Sequence, residues 1–168
     1  MRKPAAFLAL PLAAFIIAGC GSSGSSTSTS STSASTATSA NSGASTPGVK
    51  ISAKSVPNVG TVLVNSQGLT LYTFAPDMHS KVTCLSSCAS VWPPLMLESG
   101  AKPVGSGQVK QSLLGSDPDP EGGQVATYAG WPLYTYVADT SPGMTTGQGL
   151  NVNGGLWYTI SPSGKVNK

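Results

Sequence analysis

The chain has 168 residues, 39% hydrophobic and 9% charged, with 20 glycines, 13 prolines, three cysteines and a formal net charge of +3. That length suits one ordinary domain beside any leading segments. Without the first 19 residues, seven lysines face six acids, a net of +1 with no arginine and no basic cluster. A nucleic-acid binder needs a Lys/Arg-rich face, so that class is set aside.

Arg2 and Lys3 precede an apolar run from Ala5 to Ala18 that ends in Ile17-Ala18-Gly19-Cys20. The charged start, short apolar stretch and small residues before the break read as an export signal over residues 1–19, too short for a comfortable membrane span. A cysteine directly after the small residues resembles the bacterial lipobox, which implies lipid modification of Cys20 and a membrane anchor there. Residues 20–48 are dominated by Ser, Thr, Ala and Gly, and no residue from Gly21 to Thr46 is aromatic or charged. Such a segment cannot bury enough apolar surface to offset its ordering entropy and reads as a disordered, flexible tether. With about 26 such residues it would reach on the order of 30 Å from the membrane. The expected location is extracytoplasmic, lipid-anchored to the bacterial cell membrane.

The folded domain is expected over residues 49–168. Thr61–Val64, the turn Asn65-Ser-Gln-Gly68 and Leu69–Phe74 predict a β-hairpin. In its second arm Leu71 and Thr73 share one face while Tyr72 and Phe74 share the other, so bulky groups on both faces predict a strand covered on both sides. A short helical turn is predicted within Cys84–Val91, and Val91–Leu97 reads as a strand. The stretch from Ser99 to Gly123 is poor in strand formers and reads as a connection. Gln124–Tyr128, a tight Ala129-Gly130 turn and Trp131–Tyr136 predict a second hairpin, and Gly155–Ile160 a closing strand. No stretch of the domain shows helical apolar spacing with caps.

One motif is written twice. Leu71-Tyr72-Thr73-Phe74-x-x-Asp77 recurs as Leu133-Tyr134-Thr135-Tyr136-x-x-Asp139, 62 residues on, and the same offset matches Gly68 with Gly130. Trp92 and Trp157 follow their motif tyrosines at 20 and 23 residues. A repeat in one register fixes the architecture before any local assignment: a mainly β domain, a compact antiparallel sandwich or barrel-like unit of two hairpin-based repeats over about residues 60–98 and 123–164.

These residues resemble the bacterial lipoproteins recognised by a Tyr-x-(Phe/Trp/Tyr)-x-x-Asp motif, described as a secreted repeat of unknown function. The resemblance runs from about Gly60 to Gly164. It includes Cys84-x-x-x-Cys88 leading into Trp92-Pro93-Pro94-Leu95, Tyr128-Ala-Gly130-Trp-Pro-Leu133-Tyr134, and Gly147-Gln148-Gly149 before Gly155-Leu156-Trp157-Tyr158. Where the family carries Asp-Gly-x-Gln before the second hairpin, this chain has Pro120-Glu121-Gly122-Gly123-Gln124, a departure at a turn. The family's description implies no shared biochemical activity.

In an exported chain Cys84 and Cys88 most simply form a local disulfide; a reversible thiol pair or a soft metal site are the alternatives. Met78 and His79 stand just upstream, and Met96 and Met144 add thioethers, so copper or haem is the metal that these ligand types would favour. A solvated loop is the plainer reading of His79. Asp77 and Asp139, just past their strands, read as acceptors for backbone N–H groups of the following turn. A calcium site would instead gather them with Asp117, Asp119 and Glu121. Matched aromatics read as core before ligand platform. The chain has no Gly-x-Ser-x-Gly elbow, no phosphate-cradling loop and no His-Glu-x-x-His, and no cofactor is called for. The expectation is a non-enzymatic binding or structural module, with an envelope protein or glycan as partner. The alternative is a redox or metal-handling envelope protein using Cys84/Cys88 and Met78/His79.

Overall fold

A computed structural model describes residues 48–77 and 81–168. The expected signal and Cys20, and the candidates Met78 and His79, lie outside the described residues. The tether lies outside them too, apart from its last residue, Gly48.

Short strands follow one another: β1 (Lys50–Val56), β2 (Gly60–Val64), β3 (Tyr72–Phe74), β4 (Met96–Leu97), β5 (Val104–Gly105), β6 (Leu114–Pro118), β7 (Gln124–Tyr128), β8 (Trp131–Pro132), β9 (Asn151–Val152) and β10 (Gly155–Thr159). A five-residue helix, α1 (Ser87–Val91), is the longest helical segment described. Three small sheets have the orders β2-β1-β5, β3-β10-β9 and β4-β7-β6, with β8 also paired to β7. They do not close into a barrel, and one pair, β1 with β5, is parallel.

The second hairpin forms with a shorter second arm than the expected Trp131–Tyr136: β8 ends at Pro132, and Tyr134 adds only isolated bridges to Tyr72 and Pro94. Thr127 pairs with Pro132 and Tyr128 with Trp131 across a two-residue turn in which Ala129 (φ 50) and Gly130 (φ 79) are both left-handed. A mirror-image turn with two positive φ values matches the twist of the flanking strands. Gly68, the counterpart of Gly130, has the same φ of 79 and closes the first turn by donating to the Asn65 carbonyl. That first hairpin is looser. Val64 bridges Thr70 and the Leu71 amide donates to Leu63, but β3 then leaves β2 and pairs with β10, Trp157 opposite Phe74 and Thr159 opposite Tyr72.

Three assignments are corrected. Val91–Leu97 is not one strand: α1 runs to Val91, and the prolines at 93 and 94 bring no N–H to a ladder, leaving only Met96–Leu97 as β4. Ser99–Gly123 is more than a connection, because Leu114–Pro118 pairs along the whole of β7 and Val104–Gly105 along β1. Lys50–Val56, given no strand from sequence, pairs with β2 from Ser52–Val64 to Val56–Gly60. β6 holds Gly and Pro, and β1 has Lys and Ser among its residues, so neither has the dense β-branched composition that marks a strand.

The motif strands divide two cores. Leu71 and Leu133 pack with Ile51, Leu63, Ala126, Tyr128 and Ile160 in an aliphatic core, while Tyr72, Phe74 and Tyr134 pack with Cys84, Cys88, Trp92 and Trp157 in an aromatic one. Leu71 through Phe74 are all buried, so both faces of this strand are covered as its pattern predicts.

Candidate functional site

The repeated motif builds one site at the centre of the aromatic core. Tyr72 and Tyr134 lie side by side on antiparallel backbones, each amide donating to the other's carbonyl at 2.8 and 3.0 Å. This reciprocal bridge is a pseudo-two-fold axis. Across it the side chains are exchanged: the Tyr72 hydroxyl donates to Asp139 Oδ2 and the Tyr134 hydroxyl to Asp77 Oδ2, both at 2.6 Å. Each tyrosine therefore reaches the aspartate of the other repeat.

The remaining oxygen of each carboxylate is held by its own repeat. Thr83 donates its amide and hydroxyl to Asp77 Oδ1 at 2.9 and 2.6 Å. Thr146 does the same to Asp139 Oδ1, its amide at 3.0 Å. Each carboxylate thus receives three protein donors while fully or almost fully buried. Donors on both oxygens meet the hydrogen-bonding capacity of each buried carboxyl group inside the protein. The backbone-acceptor role expected of Asp77 and Asp139 is present, and it is half of their role. Thr83 and Thr146 escape the sequence reading because they fall 63 residues apart, not 62: the second loop is one residue longer, so the register that exposes the motif breaks just before them.

The rings exchange as the hydroxyls do. Phe74 stacks on Trp157 at 4.3 Å and Tyr136 on Trp92 at 4.1 Å, each on the tryptophan of the other repeat. The two tryptophans stack on one another at 3.9 Å with planes 3° apart. Tyr72 and Tyr134 meet Trp92 and Trp157 edge-on at 5.4 and 5.2 Å. Offset stacks and edge contacts each add about 0.5–1.5 kcal/mol beyond area burial. Gly147 admits this packing: a Cβ there would lie 2.7 Å from the Trp92 ring, and its amide donates to the Tyr72 oxygen at 3.2 Å.

Burial raises the phenols of Tyr72 and Tyr134 far above the ordinary tyrosine range, and the neighbouring Asp139 and Asp77 push them further. Asp77 is raised by burial, which outweighs the bonds from Thr83 and Tyr134 that pull it down. Asp117 is raised by burial as well.

Cys84 and Cys88 form a disulfide with Cα atoms 5.1 Å apart, inside the usual range. Both sulfurs are thereby bonded to each other and neither is a thiolate. The bridge straddles the start of α1, where Ser86 sits at φ 53 and gives its amide and hydroxyl to Glu121. Among the described residues, no cluster of three or more His, Cys, Asp or Glu side chains could hold a metal. Asp117, Asp119 and Glu121 lie on β6 and its turn, and the charge of Asp117 adds to the rise at Asp77. On the outside, a groove of about 350 Å³ is lined by Thr73, Ala75, Trp131, Leu156, Tyr158, Val166 and Lys168.

The fold and clasp define a duplicated β module whose two halves hold each other through a shared aromatic core. A family model described as a secreted repeat of unknown function, Lipoprotein_15, matches the chain twice, over residues 55–96 and 117–161, and the chain belongs to that family. Each match contains one motif copy and one core tryptophan. As a member of a secreted family, the protein acts outside the cytoplasm. Comparison with curated proteins and with solved structures gives no match.

Proposed function

We propose that the protein is a lipid-anchored module of the cell envelope, held through Cys20, whose domain binds a partner without catalysis. Support for the non-enzymatic reading comes from one observation: the reactive-looking side chains of the motif are spent on the fold. Both aspartates have protein donors on each oxygen, and both motif tyrosines are bonded to them inside the core. Support for the anchor comes from the charged start, the short apolar run and Cys20 after small residues.

The partner is an envelope glycan, and the groove is its contact surface. Small-ligand sites are concave and mostly apolar with few polar groups, and the half-buried Trp131 and Tyr158 line this groove together with Thr73 and Lys168. Aromatic faces with a polar rim suit a sugar ring.

Titrating the protein with soluble cell-wall glycan fragments, followed by NMR, tests this reading. Shifts confined to the groove and lost in Trp131→Ala support it; no shift at millimolar glycan overturns it. For the anchor, Cys20→Ala is expected to release the protein from the membrane fraction, and mass spectrometry to find acyl groups on Cys20 of the unaltered chain.

A further inference from the structure

Rings in contact run through the aromatic core from its edge to its centre. Tyr136, half-buried, stacks on Trp92, which stacks on Trp157; Tyr72 and Tyr134 join these indoles edge-on. Trp92, Trp157, Tyr72 and Tyr134 are wholly buried. Electron-rich side chains thus lead from a partly open ring to two phenols, each bonded to a carboxylate.

Proton acceptors differ along this path, and they decide where an electron vacancy settles. A phenol that loses an electron becomes a strong acid and is stable as a neutral radical when its proton has a base to move to. Tyr72 and Tyr134 have such a base at 2.6 Å. The indoles do not: among the described residues Trp92 Nε1 has no partner, and Trp157 Nε1 faces only the Val152 carbonyl at 3.3 Å. A vacancy on either indole keeps its charge in an apolar interior, which is unfavourable. On either tyrosine a short proton shift removes that charge.

We propose that the aromatic core is a one-electron relay with two traps. An outer-sphere one-electron oxidant takes an electron at Tyr136, which keeps its phenolic proton as Trp92 refills it; the vacancy rests at Tyr72, which meets Trp92 and Tyr136 directly, or goes on through Trp157 to Tyr134, in either case as a neutral tyrosyl radical. The oxidant gains one electron. The trapping tyrosine loses one electron and breaks its phenolic O–H bond, and that proton forms an O–H bond on Asp139 or Asp77. An outer-sphere reductant supplying one electron reverses the step, the proton returning to the phenol. The pseudo-two-fold places one trap in each repeat, and the relay stands independently of the glycan groove.

Flash-generated ruthenium(III) tris(bipyridine), with persulfate as the terminal acceptor, supplies the oxidant to the purified full chain, and freeze-quench EPR with ENDOR reads the product. The expected product is a tyrosyl radical with a strongly coupled exchangeable proton, as for a phenoxyl bonded to a carboxylic acid. Its formation slows in Tyr136→Phe, which keeps the stacked ring, and the signal is lost in the Tyr72→Phe/Tyr134→Phe double variant. A radical without the exchangeable coupling, a signal undiminished in the double variant, or no radical at all overturns the relay. The ENDOR reading uses the unaltered chain, so it decides the matter even if the double variant does not fold.

Discussion

The two halves of the clasp have the same bonds and different reinforcement. Around Asp77 the loop that supplies Thr83 runs straight into the Cys84–Cys88 disulfide. Around Asp139 the loop that supplies Thr146 runs into Gly147, which has no side chain and lies flat against Trp92 while its amide bonds the Tyr72 oxygen. One half is braced covalently and the other by close packing. What the two halves share is the exchanged carboxylate with its three donors, and what differs is the bracing behind it.

The largest expected effect breaks that shared element. Asp139→Ala leaves the buried Tyr72 hydroxyl without its acceptor and frees the two donors of Thr146, an exposed residue that can turn to water. Losing charge-assisted bonds and leaving one buried hydroxyl unpaired costs on the order of 2–4 kcal/mol, a large part of the stability of a domain this size. Urea denaturation of the variant is expected to show that drop, and Asp77→Ala to match it within the spread set by the disulfide. A much smaller loss at either site would mean that the clasp is not what joins the halves.

Next comes the packed brace. Gly147→Ala sets a Cβ 2.7 Å from the Trp92 ring, and overpacking of this kind costs about 1–3 kcal/mol. The same denaturation series should place it below Asp139→Ala and above the covalent brace. Cys84→Ala/Cys88→Ala opens a loop of only a few residues, so its cost falls near the low end for disulfides, about 1–2 kcal/mol. Should the cysteine variant prove the more damaging, the ranking of the two braces is reversed.

Alkaline pH probes both halves at once. Tyr72 and Tyr134 are raised above the ordinary tyrosine value by burial. In the unfolded chain they ionise near pH 10, whereas the folded chain retains both protons well beyond it. The folded state then binds more protons than the unfolded one, so stability is fully present below about pH 10 and falls as pH rises above it. Melting temperature against pH should turn down there, and Tyr72→Phe should remove about half of the slope while lowering stability at neutral pH.

The smallest effect concerns an orphan. Trp92 Nε1 has no acceptor among the described residues, whereas Trp157 Nε1 donates to Val152. Trp92→Phe removes an unpaired donor along with ring area, so it should cost less than Trp157→Phe, which loses a satisfied one. Equal losses in thermal denaturation would show that the two indoles are equivalent after all.

Much of this architecture was legible in residues with unambiguous local meaning. Ala129-Gly130 between β-branched and aromatic runs is a hairpin turn, and Gly155–Thr159 is a strand, because propensity and turn chemistry agree there. Bulky residues on both faces of Leu71–Phe74 announced a strand buried twice over. Lys50–Val56 and Leu114–Pro118 stayed hidden because neighbouring strands, not their own composition, make them β. Within the site, Tyr72, Phe74, Asp77 and their counterparts stood out through their shared offset, while Thr83 and Thr146 did not, since the loop lengths of the two repeats differ by a residue; Gly147 stood out as part of a turn, without its contact with Trp92.

The amino-acid sequence alone determined that this is a duplicated β module with an export signal pattern at its start and a motif of aromatic and acidic positions in each half. Tertiary structure alone decided the pairing. Tyr72 stands five residues from Asp77 and 67 from Asp139, and nothing in a linear pattern says that it bonds the distant one. The choice is made where Tyr72 and Tyr134 meet as antiparallel neighbours: strand pairing points each hydroxyl across the axis, and burial makes the carboxylate waiting there the acceptor that must be satisfied.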